Sequence, residues 1–261
     1  MRWIVRVAGA LLAWSVVGPG DVAGAQIAPH RAFYELTLAA RAGPFVDAAG
    51  AFAVEWRARC EGTIGRQRLR FAGDLHGGGA FDYDIRLSTF ESADHRRFRF
   101  SMRSHRGDEL VRELRGEAEL AGDGTPGRAV YAVPAGEEIP LPADTLFPTA
   151  HLERLIDTAA AGAKVASATV FDGADVGSEA LNLITAAIGE PIDAPEGGAR
   201  AWPMALAYHP ATPGEGGAPL FELSFALSEV GVMRDVVLDY GAFALEGTLT
   251  RLERLNLPRC E

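Results

Sequence analysis

Between Ala51 and Cys60 the side chains alternate: Phe52, Val54, Trp56, Ala58 and Cys60 fall on one side, with Ala53, Glu55, Arg57 and Arg59 on the other. A repeat of two is the signature of a pleated strand with one buried face, and a helix cannot gather those apolar residues on one side. The pattern also turns Cys60 inward with the apolar face. It returns in Tyr34, Leu36 and Leu38, in Phe81, Tyr83, Ile85 and Leu87, and in Phe98, Phe100 and Met102 interleaved with Arg97, Arg99 and Arg103. Further along it marks Tyr131 and Val133, the run Trp202 to Tyr208, the run Phe221 to Leu227, and the closing pair Val236 to Tyr240 and Phe243 to Leu245. Many short alternating runs separated by Gly, Asp and Pro predict a mainly β chain whose antiparallel sheet curls into an open barrel. Pro203, which has no N–H to give to a ladder, predicts that its run is an edge or bulged strand.

One segment breaks the pattern. In LPADTLFPTAHLERLIDTAAAG, Leu141 to Gly162, the apolar residues Leu152, Leu155, Ile156, Ala159 and Ala160 take the spacing of an amphipathic helix. The spacing predicts a helix from Thr149 as N-cap to Gly162 as stop, with Glu153 and Asp157 toward water. A second, weaker helix is expected from Ser178 to Ile188. The Gly- and Pro-rich stretches 77–79, 122–127 and 210–219 are too short for linkers and read as loops, so residues 26–261 are expected to form one domain.

The first residues, MRWIVRVAGALLAWSVVGPGDVAGAQ, place Arg2 and Arg6 before an apolar run and end in small residues at Ala23 and Ala25. That order predicts a secretory signal peptide, residues 1–25, cut before Gln26. The apolar run is broken by Gly18, Pro19 and Asp21, short of the roughly 20 residues of a membrane span, and no later segment approaches that length. Cleavage takes the formal charge from −10 to −11, because two arginines and one aspartate leave with the leader. So acidic a chain is poorly matched to nucleic acid or to an anionic membrane surface. Export also governs the cysteines. Cys60 and Cys260 are the only two, no C-x-x-C occurs, and an even pair in an oxidising compartment reads as a disulfide. It would bring the last residues back beside the second strand.

Chemistry is harder to find. His151 lies in the first helical turn, where a base or ligand could sit, but no second histidine follows at helical spacing and a base needs an oriented partner. A structural or solvated histidine is the expectation. Phe171 to Gly177, FDGADVG, carries Asp172 and Asp175 but lacks the alternating ligands and distal glutamate of a calcium loop, so it reads as a turn. No nucleophile elbow, phosphate loop or penicillin-binding signature occurs, and Asp82 and Asp84 fall on the polar face of a strand. No catalytic residue, metal ligand or cofactor is assigned.

Taken together, APHRAFYEL after the leader, CEG at 60–62, LPADTLFPTAH at 141–151, VFDGADVG at 170–177 and a cysteine near the C-terminus resemble the EipB family of exported cell-envelope integrity proteins. The resemblance covers nearly the whole mature chain. It implies a periplasmic β-spiral, an open barrel-like antiparallel sheet with one or two short helices, closed by a disulfide that carries over onto Cys60 and Cys260. It implies no enzymatic activity, and an architecture similar to that of periplasmic lipoprotein carriers. Phe147, Pro148, Thr149 and His151, with Phe171, Asp172 and Gly173, match family motifs and carry over as structural positions. The function expected is therefore envelope support through binding of an envelope protein or a lipid-like ligand. A lipid or lipoprotein carrier with an apolar cavity is the alternative, and an envelope-polymer hydrolase a more distant one.

Overall fold

The computed structural model describes residues 24–39, 43–194, 200–211 and 217–260. The expected leader, residues 1–25, thus lies outside them except for Gly24 and Ala25. Strands β1 (His30–Leu38), β2 (Phe45–Arg59), β3 (Gly62–Leu75), β4 (Ala80–Ser92), β5 (Arg97–Arg106), β6 (Glu109–Glu119), β7 (Gly127–Val133) and β8 (Glu138–Leu141) precede helix α1 (Pro148–Ala160). Strands β9 (Val165–Phe171), β10 (Leu181–Ile188), β11 (Ile192–Asp193), β12 (Arg200–Pro210), β13 (Phe221–Ser228), β14 (Met233–Asp239) and β15 (Ala244–Arg254) follow it.

The alternating runs became these strands because each buries one face and gives both backbone edges to a neighbour. The path runs β8-β7-β6-β5-β4-β3-β2-β1-β15-β14-β13-β12-β10-β9, and β11 pairs β12 beside it. Every strand pairing is antiparallel, and the chain's two ends meet where β1 lies against β15. The result is a nearly closed barrel with one seam, between β8 and β9. Leu146 bridges that seam: its N–H donates to Thr169 O at 2.9 Å, and Phe171 N–H donates back to Leu146 O at 3.0 Å.

Helix α1 packs its apolar face into the barrel and leaves Arg154, Asp157 and Ala160 exposed on the other. Leu152, Leu155, Ile156 and Ala159 are buried among inward residues of both halves of the sheet, including Tyr34, Val54, Trp56, Trp202, Met204 and Leu245. A second, smaller core gathers Phe98, Phe100, Tyr131, Phe147 and Phe171 where β5 to β8 wrap around the end of β9. Cys60 and Cys260 form the disulfide, 200 residues apart in sequence.

Three expectations need correction. The helix starts at Pro148 with Phe147 in the N-cap position, not at Thr149, because proline at the first helical position lacks the N–H that would go unused there anyway. Its stop is as expected: Gly162, at φ +83°, lets Gly162 N–H reach Ala159 O and Ala163 N–H reach Thr158 O. The weak helix over Ser178 to Ile188 is instead a 3-10 turn (Gly177–Glu179) followed by β10, in which Asn182, Ile184, Ala186 and Ile188 are buried and the residues between them exposed. Two flanking strands satisfy its backbone, which outweighs a weak helical pattern. Of the two forms expected for the Pro203 strand, the edge is excluded because β12 pairs on both sides, and the bulged form fits, since the pairing slips by one residue between Ile188 opposite Met204 and Ile192 opposite Ala201. Cys60 is exposed in the turn after β2, so the alternation does not extend to it.

Candidate functional site

The two motif segments meet in the fold. Phe147 stacks on Phe98 at 4.9 Å between ring centroids, and Phe171 meets Phe100 edge-on at 5.5 Å. The loop after Phe171 is tied down by Asp172, whose Oδ1 accepts the Ala174 N–H at 2.9 Å. Gly173 has φ +72°, and a Cβ there would sit 2.4 Å from the Phe100 ring, so both backbone and space call for glycine. Tyr131 completes the junction by donating its hydroxyl proton to Asp175 O at 2.6 Å.

Thr149, Pro148 and His151 open α1, and the cap comes from far away in sequence. Glu91 on β4, 2% exposed, accepts the Thr149 N–H at 2.7 Å and the Ala150 N–H at 2.9 Å. A carboxylate at a helix N-terminus satisfies orphan donors and meets the positive end of the dipole. His95, in the β4–β5 turn, places Nδ1 2.6 Å from Glu91 Oε1 and Nε2 3.3 Å from Glu153 Oε2. Glu153 first and Glu91 second raise this imidazole to about 10, so it stays protonated near neutrality and cannot serve as a base. Glu153 therefore closes an ion-paired latch between helix and sheet.

His151 is buried, which excludes the solvated form of the expectation above. Burial, assisted by the Arg154 charge, lowers its pKa to about 4, so its ring is neutral. Asp172 goes the other way: burial pushes its carboxyl up to about 6, and Asp175 adds to the shift. Asp172 in turn helps burial raise the Tyr208 and Tyr131 phenols. Among the described residues no group of three or more His, Cys, Asp and Glu side chains is placed to hold a metal ion. Asp82 and Asp84 lie on the outer face as expected, each paired with arginine.

Sequence reasoning missed Glu91 and His95. A signal for Glu91 existed: it continues the inward series Phe81, Tyr83, Ile85 and Leu87, where a carboxylate is out of place unless something inside receives it. Two further surfaces had no sequence signal. At the mouth opposite the disulfide, Tyr208, Phe221, Tyr240, Phe243, Phe45 and Phe81 form a continuous arc with successive centroids 4.4–5.4 Å apart. On the outer face, an open cleft of about 700 Å³ crosses β1 to β6.

Comparison with known proteins agrees with this architecture. The chain is 30% identical to the cell envelope integrity protein EipB of Brucella abortus (strain 2308), over 95% of this chain and 94% of the relative. It superposes on the crystal structure of the beta-barrel-like protein of domain of unknown function DUF1849 from Brucella abortus with a TM-score of 0.81 and 31% identity, covering 89% of this chain and 100% of that one. No helix among the described residues is long and apolar enough to cross a membrane. With the EipB-like profile matching residues 22–256, through both cores, the capped helix and the bridged seam, the chain belongs to the EipB-like family.

Proposed function

We propose that this chain is a periplasmic, non-enzymatic factor that supports cell-envelope integrity by binding another envelope protein. The observation that carries this reading is the filled interior: Leu152, Leu155, Ile156 and Ala159 of α1 pack where a carrier's cargo would lie. A sheet stabilised in this way is a rigid scaffold that offers its outer face to a partner. Phe147, Pro148, Thr149, His151, Phe171, Asp172 and Gly173 are structural in this reading, holding seam, helix and sheet together. Residues 1–25 act as the export signal, and 26–261 as one domain.

A second reading draws on the aromatic arc. Phe221, Tyr240 and Phe243 are only partly buried, and rings at a barrel mouth suit a lipid-like ligand. Native mass spectrometry of the gently purified periplasmic protein separates the two. A retained lipid mass that vanishes in Phe221→Ser favours the carrier, and its absence, together with a co-purifying protein, favours the scaffold. Complementation of an envelope-stress phenotype by the intact chain tests the shared core of both, and failure to complement would remove it.

A further inference from the structure

The outer cleft breaks a local rule of sheet design. Direct cross-strand pairing places Phe33, Ala53, Arg68, Arg86, Arg103 and Glu113 in one outward rank across β1 to β6. Three arginines thus stand directly opposite one another on adjacent strands, an arrangement that like-charge repulsion disfavours. The neighbouring rank adds Arg31 opposite Glu55 and Glu55 opposite Arg66, followed by Ser88 and Ser101. Glu55 is shared by Arg31, Arg57 and Arg66, while Asp84 is shared by Arg68 and Arg86, and Glu113 pairs Arg103. Five guanidiniums line the cleft against the carboxylates of Glu55 and Glu113 and, at its border, Asp84 and Glu253, which leaves one positive charge in excess. This excess stands out on a chain of net charge −10. Asp84 and Glu113 offset this repulsion by pairing all three arginines of the row, each of which still keeps about half of its side chain exposed to a ligand.

We propose that this cleft is the docking groove for an acidic polypeptide segment of an envelope partner. The proposal rests on the scaffold reading above and names the partner's chemistry. Ala53, Ser88 and Ser101 are small, so they leave room between the guanidiniums for a polypeptide. The five arginines lie on β1, β3, β4 and β5, four strand intervals or roughly 20 Å at about 4.8 Å each. One phosphate cannot reach that far through hydrogen bonds of about 3 Å, whereas carboxylates spaced along a chain can. Phe33 and Leu110 close the two ends of the cleft with apolar surface, which suits apolar side chains flanking the acids. The rest of the molecule repels such a segment at long range, so affinity comes from close bidentate contacts and is salt-sensitive.

The test titrates the mature protein with a labelled peptide of about eight residues carrying glutamate at alternate positions, a length that spans the cleft in extended form. A lysine version, inorganic phosphate and phosphatidylglycerol vesicles are run beside it. Saturable binding of the glutamate peptide alone is expected. It should weaken about tenfold or more when Arg86→Gln is combined with Arg103→Gln, and again between about 50 and about 300 mM salt. Arg128→Gln, on β7 outside the groove, should bind as the parent does. Should the double variant misfold by circular dichroism, Ser101→Glu sets a like charge in the groove and is expected to abolish binding. No peptide binding, binding to vesicles instead, or equal loss with Arg128→Gln overturns the groove. So does full complementation of the envelope phenotype by a folded, non-binding variant; that outcome leaves the scaffold reading standing, because only failure of the parent chain to complement removes it.

Discussion

His151, which is buried, and Asp172, which is partly buried, are titrating groups whose shifts have opposite consequences for stability. The native state holds His151 neutral, so its contribution is complete above pH 6.5 and is lost as pH falls from there toward about 4. It also favours the protonated form of Asp172, so that contribution is complete below pH 3.8 and is lost as pH rises toward about 6. Each is worth on the order of 3 kcal/mol at its limit, at 1.36 kcal/mol per unit. In the parent protein they largely cancel. Between pH 6.5 and 4.5, Asp172→Asn should therefore become less stable as pH falls, while His151→Leu should become more stable. Urea titrations at several pH values check both, and slopes of the same sign would refute the assignment. Gly173→Ala, which forces a methyl toward the Phe100 ring at positive φ, should cost about 2–4 kcal/mol, read from the thermal midpoint.

At the scale of elements, α1 depends on two supports, its apolar stripe and its borrowed cap. Leu155 is 2% exposed inside the barrel, and Leu155→Ala should destabilise by roughly 2–5 kcal/mol, as core truncations do. Glu91→Ala removes the acceptor of two helix N–H groups and one of the two carboxylates flanking His95, and should cost about 2–4 kcal/mol. The two losses differ in kind. Glu91→Ala also drops the His95 pKa toward its ordinary value, because only Glu153 is left to raise it, and an NMR titration of the imidazole follows this. An unmoved His95 titration would show that Glu91 does not pair with His95. The stripe was legible because helical spacing is local information. The cap was not, since Glu91 and Thr149 lie 58 positions apart and only the curl of the sheet brings them together.

Across the whole molecule, the disulfide and the β1–β15 pairing both tie the end of the chain to its beginning. Closing a loop of 200 residues is worth about 5 kcal/mol in the chain-entropy account, and native strain or residual unfolded structure reduces it. Cys60→Ser should lower stability by a few kcal/mol while β1 and β15 stay paired. Native thiol labelling of the parent should detect no reactive cysteine, and two labelled thiols in the oxidised protein would contradict the bridge. Most of the loss should appear in the unfolding midpoint rather than in the native circular dichroism spectrum, because the bridge lies on the surface and packs little.

The sequence by itself determined what short-range physics encodes. Period-two alternation set the strands and their inward faces, helical spacing set the Leu152, Leu155 and Ile156 stripe, and Gly162 set the helix stop. Cysteine parity, read with the expected export signal, predicted the bridge. Tertiary structure decided whatever depends on which strands become neighbours. Weak helical spacing over Ser178 to Ile188 gave way to β10 because two flanking strands offered its backbone partners. Pro203 could sit inside the sheet because the pairing slips by one residue beside it. Cys60 is exposed because β2 ends at Arg59 and the turn begins at Cys60 itself. The ranks of arginine across β3, β4 and β5 arise from register alone: residues 68, 86 and 103 are unremarkable along the chain, and they become a charged row only when antiparallel pairing lays them side by side.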